Sequence, residues 1–154
     1  MLTELIVAFT ATVGFAIIFN VPIRYLLVGG LAGTIGWLIY LLMGQSNFGI
    51  FVAAVGIGLM AEIGARILHI PVLLIAVPGI IPLVPGVQAY RTMLALVRGD
   101  FLGALTNGTE TLFVAGAIAV GIAVATVPLR LGRKGGVKGV RKAARPHFTT
   151  TDPD

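Results

Sequence analysis

Only eight of the first 129 residues are charged: Arg24, Arg66, Arg91 and Arg98 against Glu4, Glu62, Asp100 and Glu110. This scarcity constrains the fold more than any other feature. A soluble domain carries about 25% charged residues, which keep its surface in water; here the whole chain carries 11%, with 57% hydrophobic residues. The mean hydropathy is +1.01. The apolar residues stand in runs near the ~20 residues that a helix needs to cross a ~30 Å hydrocarbon layer. The expected class is therefore an all-α integral membrane protein of about five transmembrane helices.

The five segments are punctuated by turn chemistry. The first runs from Leu2 to Phe19 and ends at Asn20-Val21-Pro22; Pro22 suits the first turn of the next helix. The second runs from Tyr25 to Met43 and closes at Gly44-Gln45-Ser46-Asn47, and the third from Phe48 to Leu68, before Pro71. The fourth begins at Val72 and is irregular; the fifth is expected over Thr109–Leu129. The N-terminus lacks a basic stretch, so the first segment reads as a retained span rather than a cleaved signal peptide.

Residues 1–129 form the membrane domain and are electrically neutral. Residues 130–154 hold seven basic residues against Asp152 and Asp154. Such a tail beside a membrane is a topology signal or a contact for anionic lipid, rather than a nucleic-acid arm. With the N-terminus outside and the C-terminus cytoplasmic, nine of the eleven basic residues face the cytoplasm, as positive-inside asymmetry requires. From about Arg133 onward the tail has too few apolar residues to pack and is expected to be disordered.

Small residues recur at helical spacing: Gly29 with Gly33, Ala32 with Gly36, Ala54 with Gly58, and Ala117 with Gly121 and Ala125. Rows of this kind let helix backbones approach closely in lipid, although Gly and Ala are common in any membrane helix.

The stretch Val77-Pro78-Gly79-Ile80-Ile81-Pro82-Leu83-Val84-Pro85-Gly86 carries the most information. An unbroken helix from Val72 to Val97 would be about 39 Å long at ~1.5 Å per residue, longer than the hydrocarbon core. Each proline also removes a donor and clashes one turn back. The expectation is a half-helix, an unwound stretch and a second helix starting near Val87. Irregular backbone at membrane depth survives only inside protein or beside a water-filled cavity, and secondary transporters use such breaks to bind solute. The residues expected to bind substrate are Pro82, Pro85, Gly86, Gln88, Tyr90 and Arg91, with Asn20 either joining them or capping the second helix. Free amides near Val87, Gln88 and Ala89 would face a carboxylate along the helix dipole, and Arg91 would pair with it two-pronged. The competing reading is two short helices meeting at a surface turn, with Arg91 reaching water.

Glu62 and Arg66 are four apart and can pair. They read either as proton-coupling residues or as a wet ion pair near the cytoplasmic end. His69 beside Pro71 reads as a boundary residue, Glu4 as an interfacial anchor, Glu110 as suited to a helix start, and Trp37 and Tyr40 as interface aromatics. The sequence contains no phosphate-binding loop, nucleophile elbow, metal-ligand cluster or enzymatically spaced carboxylate pair. No enzymatic activity, metal or cofactor is expected.

Two stretches resemble a known family: Val13-Gly14-Phe15-Ala16-Ile17-Ile18-Phe19-Asn20-Val21-Pro22, and Ile81-Pro82-Leu83-Val84-Pro85-Gly86-Val87-Gln88-Ala89-Tyr90-Arg91. They resemble the threonine/serine exporter superfamily, and the whole chain is similar to its small five-span subunit. The resemblance covers roughly Glu4 to Leu129. It implies one half of a two-component transporter in a prokaryotic plasma (inner) membrane, working with a larger exporter subunit of the same superfamily. The solute it implies is a small carboxylate or amino acid: threonine, serine, or a dicarboxylate such as succinate. A five-span unit joined to a related one would be inverted relative to it, as in many transporters. A membrane scaffold that packs against a partner without carrying solute is the alternative.

Overall fold

A computed structural model describes residues 1–131, all helices and short turns. Six α-helices follow in order: α1 (Leu2–Ile18), α2 (Ile23–Leu42), α3 (Asn47–Leu68), α4 (Leu73–Ile80), α5 (Gly86–Val97) and α6 (Phe101–Leu131), with a 3₁₀ turn, Ile81–Leu83, between α4 and α5. Helices α2, α3 and α6 are long and apolar enough to cross a membrane; the bent pair Leu73–Leu83 and Gly86–Val97 is so only when taken together, and α1, with 17 residues, is a shorter apolar helix. The tail expected at 130–154 lies outside the described residues for all but its first two positions.

Four helices stop by the same device, a residue forced into the left-handed region. Asn20, Gly44, His69 and Gly99 all have φ between 55° and 77°. At the end of α1 the N–H of Asn20 reaches Ile17 O and that of Val21 reaches Ala16 O, both at 3.0 Å. At the end of α5 the N–H of Asp100 reaches Ala95 O at 2.9 Å in the same way. These bonds use carbonyls that the helix ends would otherwise leave unpaired in an apolar medium. Asn20 therefore closes α1. It does not cap α2, whose start is set by Pro22 without any side-chain cap.

Helix α6 starts eight residues before the expected Thr109. Asp100 caps it, with Oδ1 accepting from the Gly103 N–H at 2.9 Å. Glu110 consequently sits inside the helix rather than at its start. The polar stretch that resembles a loop stays helical because its side chains bond back to their own helix. Asn107 Nδ2 donates to Gly103 O at 2.7 Å, and the Thr106 and Thr111 hydroxyls donate to carbonyls four residues earlier.

The helices pack on small residues. Ala54 and Gly58 of α3 face Gly121 and Ala125 of α6, so two of the small-residue rows meet each other. A Cβ on Gly121 would lie 2.8 Å from both Ala54 Cβ and Phe51 O, and one on Gly58 would lie 2.6 Å from Ala125 Cβ. This register makes α3 and α6 parallel. Gly36 presses on Ile57, Gly33 on Thr12, and Gly56 on Ile39, which sets α2 antiparallel to its neighbours. Gly29, by contrast, has open space where a Cβ would go.

Helix α4 enters this bundle beside α2 and α3. Gly79 lies against Ile57, Ala32 and the Gly33 backbone. Ile57 and Gly33 stand about halfway along their helices, so the chain begins to unwind at the mid-height of the bundle. Leu83, only 5% exposed, joins a cluster with Ile50 and Val114 near the start of α3. The break thus climbs toward the end where α1 and α3 begin. There α5 departs at 56°, contributes no buried residue and lies along α6.

Candidate functional site: the break and the cavity beside it

The prolines dictate the backbone of the break. Pro82 and Pro85 lack the N–H groups that would extend α4. The Ile81 N–H reaches back to Pro78 O, and Val84 N–H to Ile81 O at 3.2 Å. Val84 is then extended, with φ −61° and ψ 131°. Pro85, at φ −77° and ψ 54°, forms the centre of a three-residue turn closed by Gly86 N–H to Val84 O at 2.8 Å.

No side chain caps α5. Ala89 N–H is used by Pro85 O at 3.0 Å, while the N–H groups of Val87 and Gln88 have no acceptor among the described hydrogen bonds at this helix start. Two donors and the positive end of a helix dipole therefore remain available to an anion.

The structure brings Pro82, Pro85, Gly86 and Gln88 together at the break. Pro85 is buried, Pro82 and Gln88 half-buried, and Gly86 exposed. Tyr90 and Arg91 follow about one turn on and are exposed; Arg91 makes no ion pair among the described residues. Asn20, also exposed, stands at the opposite end of α1, away from the break.

Glu62 and Arg66 lie on α3 beyond Ile57, also away from the break. The Glu62 side chain is only 3% exposed, whereas that of Arg66 is 46% exposed, with Nη2 at 3.4 Å from Oε1. Oε2 is buried without a hydrogen-bond partner. The pair has a dry anionic end and a wet cationic end, unlike the uniformly wet pair expected at a helix terminus.

A cavity of about 270 Å³ adjoins the break, lined by Thr3, Glu4, Val7, Ala8, Ala11, Trp37 and Pro82. Sequence reasoning treated Glu4 and Trp37 as membrane-interface residues. The available signal was topological: the start of α1 and the end of α2 lie side by side in an up-and-down pair, at the end the break climbs toward.

The model of the threonine/serine exporter family, ThrE, matches residues 4–127, which takes in all six helices almost to the end of the last. No solved structure matches the chain.

Proposed function

The chain belongs to the threonine/serine exporter family, and from that premise we propose that it is the small subunit of a two-component secondary exporter for threonine, serine or a related small carboxylate, dicarboxylates such as succinate included. The observation that carries this reading is the broken fourth span. Its unwinding begins at the mid-height of the bundle, and it leaves the amides of Val87 and Gln88 unspent at a helix start. A carboxylate leaving water needs such compensation, and the Arg91 charge one turn away can supply more. A scaffold that carried no solute would have no use for a break of this kind between two helices of one span.

The exposed α5, with a face bearing Tyr90 and Arg91, supports the larger partner as its cover. The positive-inside asymmetry supports an N-terminus outside and a cytoplasmic C-terminus, and the family supports a prokaryotic plasma membrane as the location. Glu62, with its buried unpartnered oxygen, is the candidate for proton coupling, and Arg66 holds its other oxygen.

Export measured in proteoliposomes with the chain alone, with a larger subunit of the same family, and with that subunit alone tests the proposal. Solute should move only when both chains are present. Full activity from the single chain would refute the two-component reading, and partner binding without any flux would favour the scaffold.

A further inference from the structure

Helix α6 is longer than a membrane needs, and its excess lies at one end. Its 31 residues extend about 46 Å at ~1.5 Å per residue, against a ~30 Å hydrocarbon core. Ile50, in the first turn of α3, shares a buried cluster with Val114 of α6, and Gly121 lies against Phe51 O. Residues Phe101–Phe113 therefore rise about 20 Å beyond the start of α3 at the same rise per residue. Helix α5 lies along them: a Cβ on Gly108 would lie 3.3 Å from Thr92 Cγ2, and Ala104 is buried. The two helices form an arm past the end of the bundle where α1 and α3 begin. Four of the eight charges in residues 1–129, those of Arg91, Arg98, Asp100 and Glu110, stand on this arm, as a segment outside the hydrocarbon allows.

The arm nonetheless carries an uncovered apolar stripe. On α5, Val87, Tyr90, Leu94 and Val97 recur at spacings of three and four residues. Leu94 is half-buried and the others are exposed. Thr92, on the opposite side, is the residue laid on α6, so the stripe points away from that helix. Spacing of this kind makes the seam of a helix pair, each residue filling a gap on a facing helix. Helix α6 is unbroken from Phe101 to Leu131, so the arm keeps the direction of the span and cannot lie down to bury the stripe in the membrane surface. An apolar stripe held beyond the lipid calls for protein as its cover.

We propose that this stripe is the docking surface for the larger exporter subunit, which lays against it, outside the hydrocarbon, a helix with an apolar face bordered by Asp or Glu. The proposal rests on the two-component reading above and deepens it. Arg91 and Arg98 stand one heptad apart, on the same border of the stripe, and α5 contains no acidic residue. A second copy of the chain pairing through α5 would bring more arginines and no carboxylate, and uncompensated like charge selects against that pairing. A carboxylate on the partner helix beside Arg98 completes the seam and leaves Arg91 to the solute. An exposed pair of this kind adds little affinity. It steers association and chooses the partner, while the stripe supplies the hold.

The chain has no cysteine, so a single one can serve as a probe. In vesicles open to both faces, Val97→Cys should react with a membrane-impermeant maleimide when the chain is alone, and much more slowly when the larger subunit is co-expressed. Thr106→Cys, exposed on the far side of α6, should react equally in both. Val97→Asp should reduce co-purification of the larger subunit about tenfold or more, as loss of a central apolar contact does, in a chain of unchanged helicity. Arg98→Glu should slow assembly more than Arg98→Ala.

A Val97→Cys chain that stays unreactive when alone would put the arm in lipid and overturn the proposal. Disulfide linkage of two copies at that cysteine, persisting beside the larger subunit, would make the occupant a second chain and overturn it as well. Equal reactivity with and without a larger subunit that co-purifies and supports export would remove this surface and leave the two-component reading intact. Export by the single chain with no subunit bound would remove both.

Discussion

Replacing Gly121 by alanine tests the packing that holds the bundle together. A Cβ at this position would lie 2.8 Å from Ala54 Cβ, 2.8 Å from Phe51 O and 3.2 Å from Val55 N. Two of the three atoms belong to the α3 backbone, so no side-chain rotation relieves the contact. Helices α3 and α6 must separate by roughly half an ångström before the contact becomes ordinary. Overpacking of this kind costs about 1–3 kcal/mol, and the rigid backbone places Gly121 in the upper part of that range. Alanine returns up to about 1 kcal/mol of helix propensity, leaving a net loss of about 1–2 kcal/mol. Gly116→Ala supplies the reference: it lies on the same helix with nothing within 4 Å of a new Cβ, and should be neutral to about 1 kcal/mol stabilising. Reversible unfolding in mixed micelles, followed by the helical signal, measures both variants. If Gly121→Ala is as stable as Gly116→Ala, the close approach of α3 and α6 is not a feature of the protein in lipid.

Arg91→Ala should reduce export at least about tenfold while insertion and partner binding persist, because removing one member of a charge pair costs on the order of 2–5 kcal/mol; Arg91→Lys should restore part of it. Arg98→Ala is the control, and equal losses at both positions would show that folding rather than solute binding is affected. Arg66→Met should destabilise the bundle by about 1–3 kcal/mol by leaving the buried Glu62 without its cationic partner, and the Glu62→Gln/Arg66→Met double variant should recover much of the loss; unfolding of the single and double variants decides whether the two side chains are coupled. Reporter fusions after Arg24 and within the tail should both read cytoplasmic, and a periplasmic signal from the tail would reverse the assigned orientation.

The membrane class, the helices and the broken span were legible in the sequence because each follows from local chemistry. Too few charges to face water, apolar runs of spanning length and three prolines in ten residues act through the chain's own neighbourhood. The ends of α2 and α3 came within a residue or two for the same reason, since Gly44 and His69 set backbone angles locally. The start of α6 was misplaced because Thr106, Asn107 and Gly108 read as a loop when taken alone. What keeps them helical is Asp100 capping from below and side chains that spend their donors on their own carbonyls. Asn20 was read as ending the first segment, with capping of the second helix as one option for its side chain; only the first of these is what the fold uses, and both stood open because an Asn can equally close one helix or open the next.

Only the tertiary structure decided which small residues touch, since Gly29 and Gly33 share a motif while only Gly33 meets another helix closely. Burial decided the state of Glu62, whose four-residue spacing to Arg66 is the same in a wet pair or a dry one. The cavity joins Glu4, Trp37 and Pro82, residues separated by more than thirty positions at each step. Spacing within one helix cannot report such a meeting, because it depends on the direction of each helix and on the height at which the prolines end α4.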